Sequence, residues 1–153
     1  MCYYLHYMYY ELVSMVEKSD LKKKILDEMT VDYASTLEKH FAIAKQFIRI
    51  TRDGRVDVLL KDKVSGTEQV QLYLIGKIYA KEAGLAATDE VGNTELIEEL
   101  GIPIGSLLPW LKLLRDGNKV KQEKHDKNVY HRMPVNLIEV ALKNVEKKLC
   151  KKS

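Results

Sequence analysis

Along residues 94–117, TELIEELGIPIGSLLPWLKLLRDG, apolar positions recur at spacings of three and four in two blocks separated by a Gly-Ile-Pro turn. In the first block Leu96, Ile97 and Leu100 form a stripe, with Glu95, Glu98 and Glu99 on the solvent side. That pattern predicts a short amphipathic helix over 94–100. Asn93 is the expected cap, Glu95 favours the positive end of the helix dipole, and Gly101 is the expected left-handed stop. The second block places Leu107, Trp110, Leu111 and Leu114 on one face with Lys112 and Arg115 on the other, and ends near Asp116-Gly117. Pro109 constrains its start, since a proline costs about 3 kcal/mol in a helix interior but is tolerated in the first turn. The expected N-cap is therefore Ser106, which leaves Ile102 to Gly105 as a connection. The following NKVKQEKHDKNVYHRM alternates apolar and polar residues about a polar centre, with Val120 before it and Val129 after. This predicts a hairpin with its tip near Lys124–Asn128.

The rest of the chain reads mostly as helix. LKKKILDEM, within Asp20–Met29, is a short amphipathic helix, and Asp32 can cap a longer one with Tyr33, Leu37, Phe41 and Ala44 on one face and His40 on the polar side. FIRITRDGRVDVLLKD gives two alternating runs, Phe47–Arg52 and Arg55–Leu60, joined by Asp53-Gly54. That dipeptide is a strong hairpin signal because both turn residues are expected at positive φ. Ser65-Gly66-Thr67-Glu68 reads as a capping box opening the most apolar helix, through Val70, Leu72, Tyr73, Leu74, Ile75, Ile78 and Tyr79 to a stop at Gly84. Gly76 inside it, at roughly 1 kcal/mol relative to Ala, predicts a close approach to a neighbouring helix. Pro134 suits the first position of a last helix, whose stripe is Ile138, Ala141, Leu142, Val145 and Leu149, with Lys143, Lys147 and Lys148 outside it. The fold class expected is mainly α with small β-hairpins (α+β), in segments 1–64, 65–133 and 134–153.

The order helix, turn, helix, hairpin, with EL-x-EELGIP-x-GS-x-x-x-x-L-x-x-LRD at its centre, resembles the winged helix-turn-helix family over residues 69–133. The resemblance implies a helix-turn-helix core flanked by N-terminal helices, a hairpin and a C-terminal helix, acting on DNA as a transcriptional regulator. In such proteins the second motif helix enters the major groove and the wing holds phosphates. The positions it assigns to reading are Ile104, Gly105, Ser106, Leu108, Pro109 and Lys112, of which only Ser106 and Lys112 hydrogen-bond through side chains. Base reading ordinarily uses Arg, Lys, Asn or Gln, so this face departs from the pattern. The contacts implied on double-stranded DNA are Ser106, Lys112, Arg115, Lys119, Lys121, Lys124, Lys127 and Arg132. An alternative is a protein-interaction module using the Leu108-Pro109-Trp110 surface, and Trp110 itself reads as a core or rim aromatic ahead of a nucleic-acid stacking residue. The stripe of Ile138, Leu142 and Val145 has to cover something, either the N-terminal segment or its counterpart in a homodimer.

Charge sharpens this picture. Residues 1–104 carry 13 basic and 17 acidic groups, residues 105–153 carry 12 and 5, so the positive field lies on the second motif helix, wing and tail. The bland reading is a solvated lysine-rich end with charges that keep an exposed hairpin unpaired. His125 and His131 lack neighbouring ligands at metal spacing and read as surface histidines. No triad order, Cys-His pair, dinucleotide glycine pattern or phosphate loop is legible, so neither an enzyme nor a cofactor is expected. Cys2 and Cys150, far apart with no CxxC, fit a cytoplasmic protein without a structural disulfide. The opening MCYYLHYMYYELVSMV lacks a signal-peptide layout and is too short to span a bilayer. It reads either as an extension before a start at Met15, residues 1–14, or as an amphipathic helix that packs on the body or on a second subunit.

Overall fold

The structure is a computed structural model that describes residues 18–30 and 32–151. The aromatic opening, Cys2 and the Met15 start lie outside the described residues. The chain divides between Asp32 and Tyr33 into two units. In the first, residues 18–24 are α-helical and run into a π-helical turn, Ile25–Met29. Its apolar residues Leu21, Ile25, Leu26 and Met29 are all exposed.

The second unit holds a single core and is a mainly helical α+β fold with two small antiparallel sheets. Its elements in order are α1 (Tyr33–Phe47), β1 (Ile48–Ile50), β2 (Val56–Val58), a 3-10 turn (Lys61–Lys63) and α2 (Gly66–Glu82). There follow β3 (Val91–Gly92), α3 (Asn93–Leu100), α4 (Ile104–Asp116), β4 (Lys121–His125), β5 (Asn128–Arg132), a 3-10 turn (Val135–Leu137) and α5 (Ile138–Lys151). The expected boundaries at 64 and 133 fall inside this unit, because α1, the first hairpin and α5 all pack on α2.

The central helix α2 is buried along most of its length, at Val70, Leu72, Tyr73, Leu74, Ile75, Gly76, Ile78 and Ala80. The Ser65 hydroxyl caps it, accepting from the Glu68 N–H at 3.3 Å and donating to the Glu68 carboxylate at 2.9 Å. Gly76 is a close-packing point, though against a hairpin and not a helix. A Cβ there would sit 2.3 Å from Val56 Cγ1 and 3.0 Å from Ile48 Cγ2.

That hairpin closes through a three-residue loop, with Thr51 N donating to Arg55 O at 2.9 Å and Gly54 N to Thr51 O at 3.0 Å. Only Gly54 takes a positive φ, 89°, and Asp53 does not, so the expected two-residue turn is instead a turn followed by a left-handed residue. Gly54 is also required by space, since a Cβ would meet the Leu85 carbonyl oxygen at 2.3 Å. On α1 the buried arc is Leu37, His40, Ala44 and Phe47, rotated from the expected stripe towards His40. Tyr33 and Phe41 are exposed, and His40, expected in water, is buried with Nε2 3.8 Å from a Glu139 carboxylate oxygen.

The stripe of α5 finds its cover inside the chain. Ile138, Leu142 and Val145 are 0%, 0% and 1% exposed, and the helix packs on α1 and α2. The expectation that these three residues serve an interface gives way to core packing. Pro134 precedes the 3-10 turn and so does not open α5 itself.

The second sheet has strand order β3-β5-β4. Its hairpin pairs Lys121 with Arg132 through to His125 with Asn128, leaving Asp126 and Lys127 as the tip, with Asp126 at φ 56°. The two-residue β3 adds Val91 opposite His131 and Gly92 opposite Tyr130, joining the β4–β5 hairpin to the start of α3.

Candidate nucleic-acid interface

Helices α3 and α4 are joined by Gly101, Ile102 and Pro103, a turn shorter than expected. Gly101 takes φ 67° and its N–H bonds the Ile97 carbonyl at 3.0 Å, as a left-handed helix stop should. Helix α4 begins at Ile104 with Pro103 at the N-cap, two residues before the expected start at Ser106. Pro109 consequently lies inside the helix, where it removes a backbone donor that would otherwise meet the Gly105 carbonyl. Asn93 is the first residue of α3, following Gly92 at the cap, and makes no cap hydrogen bond.

The buried side of α4 is Leu107, Leu111 and Leu114. Its outer row, four residues apart, is Ile104, Leu108 and Lys112, all exposed. Trp110 is half-buried over the first turn of α2, where a Cβ on Gly66 would collide with the indole ring at 2.3 Å. It therefore acts as a rim aromatic of the core, apart from the exposed Leu108 and Pro109. Ser106 is partly buried in the first turn, its N–H donating to the Pro103 carbonyl at 3.0 Å.

Strand alternation divides the β4–β5 hairpin into two faces. Gln122, Lys124, Val129 and His131 share one parity, and Gln122, Val129 and His131 line a cleft with α4. Lys121, Glu123, His125, Tyr130 and Arg132 share the other. On that second face Arg132 Nε lies 3.1 Å from a Glu123 oxygen, and His125 Nε2 lies 3.0 Å from Glu90 Oε2. The hydrogen bond to His125 holds the Glu90 carboxyl below the usual carboxylate range. Glu90, Glu123 and His125 place one potential ligand atom each within 4.8 Å of the others, but all three are already engaged in this charge network. His125 is thus exposed, as expected, but tied to a carboxylate.

Of the cations assigned to the interface, Arg115 donates to the Gln122 side-chain oxygen and so ties α4 to β4, while Arg132 is committed to Glu123. Lys112, Lys119, Lys121, Lys124 and Lys127 are exposed, and none is in an ion pair among the described residues. These five lie on α4, the loop after it and the β4–β5 hairpin. By contrast, two of the three acidic side chains of α3 turn towards basic partners, while Glu98 is exposed. Glu95 accepts from Tyr73 at 3.0 Å and from Lys77 at 3.1 Å, and Glu99 pairs with Arg55 at 3.3 Å. Burial, followed by the Glu95 charge, raises the Tyr73 phenol well above its usual range.

His131 corrects the expectation of a surface histidine, being 2% exposed at the floor of the cleft. Its Nε2 donates to Asn93 Oδ1 at 2.7 Å, while its Nδ1 is buried without a hydrogen-bond partner. Burial, reinforced by the Arg115 charge, lowers its pKa to about 4, so the ring is neutral at neutral pH. A signal for this was present in the sequence, since the alternation that predicts the hairpin puts His131 on the same side as Val129. Among the described residues, no helix is long and apolar enough to cross a membrane. Comparison with known proteins finds no matching family model, curated relative or solved structure.

Proposed function

We propose that residues 65–133 are a winged helix-turn-helix module that binds duplex DNA through phosphates, with α4 and the β4–β5 wing as the contacting elements. The observation that carries this reading is the group of five exposed lysines on α4, the following loop and the wing, none of them ion-paired among the described residues. Each phosphate neutralised by such a lysine releases counterions, giving affinity that depends on salt and little on sequence. A role in transcription regulation belongs to the same proposal.

Base discrimination is not expected from this surface. The exposed face of α4 offers Ile104, Leu108 and Pro109, with Lys112 as its one base-reading residue type, and Arg115 is turned to Gln122. The expected outcome is therefore near-equal affinity for unrelated duplexes of one length, measured by fluorescence anisotropy at low salt. A preference above about 1000-fold, the lower bound for specific over non-specific binders, would overturn that part of the proposal.

A second reading rests on the exposure of Ile104 and Leu108, 51% and 48%, one turn apart on α4. They offer an apolar row to a protein partner, which absence of DNA binding at any salt would favour. Trp110 does not extend that row, because it is packed against α2.

A further inference from the structure

The cleft between α4 and the wing has a volume of about 520 Å³, within the range of small-molecule sites. Its walls are apolar at Leu108, Pro109 and Val129, and the buried imidazole of His131 lines it. Lys112 and Arg115 are its charged groups, and no acidic residue is among the nine that line it. An apolar trough with two cations and no anion selects for an occupant with a hydrocarbon body and one negative charge. The neutral His131 ring adds a fixed wall to the cleft, its Nε2 held by Asn93 Oδ1 at 2.7 Å.

We propose that this cleft binds a small apolar carboxylate, with its body against Leu108, Pro109 and Val129 and its charge at Lys112 and Arg115. His131 is neutral there and its one N–H is given to Asn93, so Lys112 and Arg115 alone carry the charge recognition. Lys112 is shared with the DNA contacts assigned above. On that reading the bound acid displaces DNA, making the cleft a regulatory site. The binding of the acid itself does not depend on that reading.

The test uses the full-length protein, with 2-naphthoate as the probe and 2-naphthamide as its uncharged match in shape, both followed by NMR chemical-shift titration. The expected result is saturable shifts at Leu108, Val129 and the His131 ring, with the amide binding about tenfold more weakly, a typical loss for a charge-assisted contact. Leu108→Trp, which fills the cleft from an exposed position, and Lys112→Gln each weaken naphthoate by about tenfold while leaving the remaining amide spectrum folded. Absent or non-saturating shifts, equal affinity for acid and amide, or undiminished binding by Leu108→Trp would each overturn the site. A parallel titration of naphthoate into the DNA complex separates the two claims. Shifts at the cleft in a protein that binds no DNA would leave the site standing and remove the DNA reading.

Discussion

Burial of one imidazole against Asn93 makes the stability of this protein depend on pH in a defined direction. His131 takes up a proton near 6.5 in the unfolded chain but only near 4 when folded. Its stabilising contribution is therefore fully present above about pH 6.5 and is lost as pH falls towards 4. Between pH 7 and pH 5 the wild type should lose about 2 kcal/mol more than His131→Gln, as measured by urea unfolding at both values. Parallel losses in the two proteins would show that this histidine is not the titrating group. The residue scale is also where sequence reading is weakest. His40 and His131 both read as solvated because polarity alone says outside. Their burial depends on neighbours contributed by distant segments, α5 for the first and α3 with α4 for the second.

At the scale of elements, the helices were legible because each has an apolar stripe and a marked end, as with Ser65 opening α2 and Gly101 closing α3. The β4–β5 hairpin was legible from its alternation. Strand β3 was not, because two residues cannot show a period and their pairing is decided by β5. Helix α4 starts earlier than a first-turn Pro109 requires, because packing of Leu107, Leu111 and Leu114 holds the helix across the proline. Pro109→Ala restores a donor for the Gly105 carbonyl on an exposed position. It should raise unfolding stability, by up to about 3 kcal/mol. A decrease in the urea midpoint would mean that the proline ring contributes packing beyond the cleft wall.

The whole molecule accounts for the C-terminal stripe that sequence alone could equally give to a second copy. Leu142 is completely buried in the same core as α1 and α2, so Leu142→Ala should cost about 2–5 kcal/mol of unfolding stability. That cost should be independent of protein concentration. A concentration-dependent loss would point to an intermolecular role for α5. The distribution of charge was legible in outline from the basic second half of the sequence, but not its sorting. Only the fold separates the arginines that tie the wing together from the lysines left facing solvent.

Contact between those lysines and phosphates is read out by fluorescence anisotropy with a labelled duplex of mixed sequence across a range of salt. The wild type should bind with log affinity falling linearly in log salt, and Lys112→Ala/Lys121→Ala/Lys124→Ala should show a slope shallower by about 3, close to one per phosphate contact removed. Binding with the same slope in both proteins, or none even at low salt, would contradict a phosphate-contacting role for α4 and the wing.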